Sequence, residues 1–182
     1  NLPFFTLAFF CFSMSFAQSG LWTPIAENDA RSAKVNRNVT PTSYRLYRLN
    51  LSAMRNTLAA APLRGQSAAR SNVVIELPNA AGQLEHFRVI ETPIMEPALA
   101  IKYPMIKSYA AQGIDDPTAV ARFSVTQFGL HSMTLSAQKS TAYIDPYTTD
   151  TQNYIVYDRA SLNRLPNDFA CLTDEVPLKS LQ

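Results

Sequence analysis

Between Asn72 and Asp158 the chain is divided into short stretches in which apolar residues recur at every second position, each closed by a turn signal. Side chains of a β-strand point to alternate faces, so a period of two marks strands with one wet and one dry face. Ala119 to Thr126 shows it most clearly. Ala121, Phe123 and Val125 fall on one side, Arg122, Ser124 and Thr126 on the other. Leu130 to Ser136 follows across Gln127-Phe128-Gly129 and completes a hairpin. An earlier hairpin is expected from Asn72–Leu77 and Leu84–Glu91 about the turn Pro78-Asn-Ala-Ala-Gly82. Ile106–Ile114 leads into Asp115-Asp116-Pro117, and Ser140–Tyr147 and Tyr154–Asp158 flank Thr148-Thr149-Asp150. With the aromatic-rich stretch Tyr44–Leu49 this makes about eight strands.

Helical spacing interrupts the series twice. Leu51, Met54, Leu58 and Ala61 predict a short helix over 53–61, capped by Asn50 or Ser52 and ended by Pro62. Glu96 to Tyr103 predicts one or two turns between Pro97 and Pro104, and Arg159 to Leu165 one turn stopped by Pro166. The expected fold class is α+β, mainly β: an antiparallel sheet or sandwich with one or two short helices packed on it.

The first nineteen residues carry no charge, and Phe4, Phe5, Leu7, Ala8, Phe9, Phe10 and Phe12 form an apolar run. Ser15-Phe16-Ala17 supplies the small-x-small cleavage pattern, so residues 1–17 are read as a secretory signal peptide. The run is shorter than the roughly 20 residues of a membrane-spanning helix. Ser13 and Ser15 also interrupt it. Phe9 and Phe10 stand where a lipoprotein signal would need small residues before Cys11. A basic leader is missing and the first residue is Asn, so the sequence is expected to be truncated at its start. The expected organisation is a signal at 1–17, an extended arm at 18–42, a β-rich domain at 43–165 and a polar linker at 166–182. The product is expected to be secreted, without stable membrane insertion once the signal is removed. About 165 residues remain, enough for one core. A net charge of +2 is too small to argue for nucleic acid as a partner.

Candidate chemistry is sparse. His86 and His131 sit in different hairpins, neither with a ligand at zinc spacing, and are read as strand histidines. A Ser-His-Asp triad, which assembles from distant positions, stays open, although no G-x-S-x-G elbow supports it. Asp115-Asp116 fits either a calcium loop or a turn before Pro117. Asn38-Val-Thr40 and Asn50-Leu-Ser52 fit the glycosylation sequon. Tyr143-Ile-Asp-Pro-Tyr147, with Tyr154 and Tyr157, is either strand packing or a carbohydrate-binding face. The chain has two cysteines. Cys11 would leave with the signal, so Cys171 would remain without an internal partner. It is either buried and inert, paired outside this chain, or a free thiol.

Leu77-Pro-Asn79 with Gly82 and Phe87-Arg-Val89 opens an ordered run of short motifs. Met95-Glu-Pro97, Tyr103-Pro104, Lys107-Ser-Tyr109, Gln112-Gly-Ile-Asp-Asp116, Gly129-Leu-His131 and Tyr143-Ile-Asp-Pro-Tyr147 follow. In that order, from about Tyr44 to Asp158, they resemble the N-terminal region of secreted reprolysin-like zinc metallopeptidases of Bacteroidetes-type bacteria. The resemblance implies that 43–165 is a propeptide-like domain. It would be non-catalytic, and the H-E-x-x-H zinc helix would lie in a downstream catalytic domain that is also its partner. No cofactor is expected in this chain, zinc being implied only for that domain. The resemblance also offers Cys171 a role as latency ligand to that zinc, in a thiolate occupying its open fourth position. The alternative function is a secreted β-sandwich module that binds a glycan or surface protein through the Tyr143–Tyr157 face.

Overall fold

The computed structural model describes residues 20–38, 40–65 and 71–162. The expected signal peptide, linker and Cys171 lie outside the described residues. Within them, nine strands form one sheet: β1 (Trp22–Ile25), β2 (Arg45–Leu49), β3 (Val74–Pro78), β4 (Leu84–Glu91), β5 (Lys107–Gly113), β6 (Val120–Thr126), β7 (Gly129–Leu135), β8 (Ala142–Pro146) and β9 (Asn153–Asp158). Helix α1 (Leu51–Leu58) joins β2 to β3, and α2 (Pro97–Lys102) lies between β4 and β5. The expected mainly β class is the one found, and the sheet is its form. The strand order is β1-β2-β9-β8-β7-β6-β5-β4-β3, with every neighbouring pair antiparallel.

From β3 to β9 each strand pairs with the next in sequence, through turns and, between β4 and β5, the longer connection carrying α2, and the sheet curls through its natural twist. The curl brings edge strand β1 against edge strand β3, so that the sheet nearly closes into a barrel. Strands that alternate in direction close smoothly only in even number. With nine, β1 and β3 run the same way, and the seam cannot continue the antiparallel ladder. Side chains bridge it instead. The Trp22 indole Nε1 donates to the backbone oxygen of Glu76 at 2.7 Å, and the Arg45 Nε donates to Ala80 O at 3.2 Å. The β3–β4 turn is cut close to receive Arg45. Gly82 there has φ +94°, and a Cβ on it would stand 2.8 Å from the Arg45 Nε.

The inward faces follow the period seen in the sequence. Ala121, Phe123 and Val125 of β6 are buried, as are Phe87 and Val89 of β4, Ile75 and Leu77 of β3 and Tyr154 and Val156 of β9. Trp22 touches Tyr154 and Tyr47 edge to face, with ring centroids 5.6 and 6.3 Å away. Helix α1 lies across one end of this interior. Its Met54 and Leu58 are fully buried in the same core, and Arg55 Nη2 reaches Thr126 O at 2.6 Å. The Asn50 side chain caps it, accepting from Ala53 N at 3.0 Å. The helix is shorter than the expected 53–61, because the chain tightens after Leu58, where Ala61 N bonds to Leu58 O.

The segment expected as an extended arm over 18–42 contains β1 and then packs on the outside of the barrel. Lys34 bridges to Thr148, Val35 N donates to Tyr147 O at 2.9 Å, and Ala30 joins Leu46, Tyr147 and Ile155 in a second small cluster. Barrel closure is therefore expected to depend on Trp22. Trp22→Ala should lower unfolding free energy by about 3–5 kcal/mol through lost packing at a buried ring. Trp22→Phe should lower it by about 0.5–1.5 kcal/mol, since an aromatic ring stays but the indole hydrogen bond to Glu76 O is lost. Urea unfolding followed by circular dichroism measures both. A change under 0.5 kcal/mol, the usual scatter of neutral surface substitutions, would show that the seam does not depend on Trp22.

Candidate functional site

Since α1 covers one end of the barrel, the opposite end is its mouth. A cavity of about 250 Å³ opens there, with Leu77, Phe87 and Ala142 on its apolar walls. Asn79, Glu85, Thr134, Ser136, Lys139 and Asp158 supply its polar groups. Glu85 is inward-facing by the same alternation that buries Phe87, and it is 9% exposed. Asn79 Nδ2 donates to its Oε1 at 2.7 Å, and Lys139 Nζ donates to the same oxygen from the β7–β8 loop. That hydrogen bond, seconded by the nearby charges of Glu85, Asp116 and Asp115, holds the Lys139 ammonium above the usual lysine range.

A second group lies on the outer face, where register sets three residues in one row. Ser124 of β6 stands opposite His131 of β7. His131 Nδ1 lies 2.8 Å from Asp145 Oδ1 on β8. Asp145 also accepts from the Tyr157 hydroxyl at 2.8 Å, with Arg37 Nη1 at 4.0 Å. Burial raises the Asp145 carboxyl, but the hydrogen bonds from His131 and Tyr157 outweigh it and leave the group below the usual carboxylate range. The order Ser-His-Asp is that of a triad. Among the described residues, though, no hydrogen bond joins Ser124 to His131, and the adjoining β6–β7 amides are engaged in a ladder rather than free to face an oxyanion.

The third feature is the excursion from Thr92 to Ile106. Its base is fixed: Thr92 N donates to Ser108 O at 2.8 Å, and Lys107 Nζ meets Glu91 Oε1 at 2.6 Å. Beyond the base, Ile94 and Ile101 are each 82% exposed and Met105 53%, with Leu99 and Tyr103 also exposed. Helix α2 buries none of its residues. Because it links the end of β4 to the start of β5, the excursion stands at the α1 end, away from the mouth.

The remaining sequence candidates resolve as follows. His86 lies on the outside of β4, its Nδ1 2.9 Å from Asp115 Oδ2 and its Nε2 3.4 Å from Glu76 Oε1. Asp116 accepts from Thr118 N and Oγ1 and from Ser136 Oγ. The Asp115-Asp116 pair thus braces the turn before Pro117. Among the described residues no group of three or more His, Cys, Asp and Glu is placed to hold a metal ion, and no helix is long and apolar enough to cross a membrane. The tyrosine cluster divides. Tyr154 is core, Tyr147 packs in the outer cluster, and Tyr143 and Tyr157 stack on each other with centroids 5.3 Å apart. Sequence reasoning met Asn79 and Asp145 only inside longer motifs and did not single out Glu85 or Lys139. For Glu85 the signal was present, a carboxylate on the apolar phase of an alternating strand.

Comparison with known proteins finds no matching family model, no similar curated protein and no similar solved structure.

The state of Asp145 sets a pH dependence. Its carboxyl titrates lower in the folded chain than unfolded, so between the two values the unfolded state holds more protons and stability is lost as pH falls. The loss should begin near pH 4, the ordinary aspartate value, and continue below it. Asp145→Asn should lower stability at pH 7 by about 1.5 kcal/mol, the scale of a hydrogen bond to a charged group. It should also flatten the acid slope. Urea midpoints at pH 7, 4 and 3 test this, and an unchanged slope in the variant would contradict it.

Proposed function

We propose that this chain is the non-catalytic N-terminal prodomain of a secreted zinc metalloendopeptidase, helping its downstream catalytic domain to fold and keeping it latent. The observation that carries the docking part is the excursion 92–106, whose apolar side chains stand in water on a fixed base. A chain of this size rarely exposes such side chains together without a partner to cover them. The order of motifs from Leu77 to Tyr147 supports a peptidase as that partner. Zinc would belong to the partner's H-E-x-x-H helix, and the Cys171 thiolate is the candidate for its open position. The adhesion alternative would use Tyr143 and Tyr157, but each ring already gives one face to the other.

Adding the chain to its matched catalytic domain should inhibit peptide hydrolysis in a saturable way. Ile94→Asp, Ile101→Asp and Met105→Asp together should weaken inhibition at least tenfold, about 1.4 kcal/mol, well within what burying three such side chains supplies. The near-ultraviolet dichroism of the Trp22 core should not change. Lack of both inhibition and binding would overturn the reading. In the full precursor, Cys171→Ala should release latency. Unchanged latency and an unchanged zinc environment would remove Cys171 from the mechanism and leave docking standing.

A further inference from the structure

The mouth of the barrel has its own chemistry, independent of the excursion at the other end. We propose that it binds a primary ammonium group on a short apolar stem, with Glu85 as counter-ion. A carboxylate with 9% exposure in a wall of Leu77, Phe87 and Ala142 is costly unless a donor meets it. Asn79 is one such donor, itself held by Gln83: Asn79 Nδ2 lies 3.2 Å from Gln83 Oε1, and Gln83 N donates to Asn79 Oδ1 at 3.0 Å. The charged partner is Lys139, and it differs in kind. It reaches in from an exposed loop, with 45% of its side chain in solvent, so it can leave without disturbing the sheet.

Lys139 is thus an internal stand-in for the ligand: a compact ammonium at Glu85 Oε1 with a methylene stem along the cavity. The rest of the mouth favours a cation too. Asp158 lies on the wall, with Oδ1 accepting from Ser161 N, and Asp116 and Asp115 act on the same ammonium from the rim. Arg45, beside the β3–β4 turn, is engaged with Ala80 O across the seam. A guanidinium fits less well, because its fork needs both carboxylate oxygens side by side, whereas Asn79 and Lys139 converge on one. The cavity of about 250 Å³, walled by Leu77, Phe87 and Ala142, leaves room for a short alkyl stem. A lysine side chain of a peptide and a free alkylamine share this chemistry.

Titrating the chain with n-pentylammonium, and separately with N-acetyl-Gly-Lys-Gly-amide, while following backbone amide resonances tests the site. Saturable shifts should appear at Ala81, Gln83, Glu85 and Thr134 with one probe or both, and the tighter probe identifies the source. Pentanol and pentanoate should bind at least tenfold more weakly. Glu85→Gln should weaken binding tenfold or more, and Lys139→Ala should tighten it severalfold by removing the competitor. The second variant removes one partner of Glu85 but leaves the Asn79 donor and the strand pairing in place, so the test stands even if the first unfolds. Absence of saturable shifts, equal binding of pentanoate, or weaker binding by Lys139→Ala would each overturn the proposal. None of these outcomes depends on whether the excursion docks a peptidase.

Discussion

Trp22 closes a seam that backbone pairing leaves open. Nine strands that alternate in direction bring two parallel edges together, and β3 has no strand neighbour in the sheet beyond β4. The indole supplies a donor to Glu76 O, and its ring meets Tyr47 and Tyr154 inside. With Arg45, which reaches Ala80 O, it joins the two edges of the nine-stranded sheet. The mouth and the α1 end are defined by that closure, because an open sheet would have neither.

The two ends then differ in what they can do. At one, α1 fills the interior with Met54 and Leu58, and the β4–β5 excursion rises beside it with its apolar residues outward. At the other, the interior turns polar at Glu85 and Asn79 and opens to solvent. The outer face carries the His131–Asp145–Tyr157 group, which ties β7, β8 and β9 together and is braced by Arg37 from the N-terminal segment. Exposed apolar side chains thus stand at one end and a pocket at the other. In the proposed reading, the larger surface faces the peptidase domain.

Local structure was legible where period and punctuation agree. Leu84–Glu91 is a strand with the expected bounds, the β6 faces fall as alternation requires, and Asn50 caps α1. β1 was not legible. Its four residues include Pro24, and its two large apolar side chains, Trp22 and Ile25, fall on opposite phases, so no period shows. Closure depends on a bond between residues 54 positions apart, and nothing local in Trp22 or Glu76 announces it. The same holds for the sites. His131 was visible as a histidine in a strand, but its pairing with Asp145 follows from register across the β7–β8 hairpin. The helical turn at 97–102 was legible, whereas its exposure was not, since apolar residues such as Leu99 and Ile101 carry no sign of whether a neighbour covers them.

The central claim is that 92–106 is a docking surface for the downstream catalytic domain. Hydrogen exchange of the chain, free and mixed with that domain, tests it most directly. The account expects slowed exchange across 92–106, with the β1–β3 seam unchanged. A complex that protects other segments and leaves 92–106 as fast as in the free chain would contradict it, as would the absence of any complex.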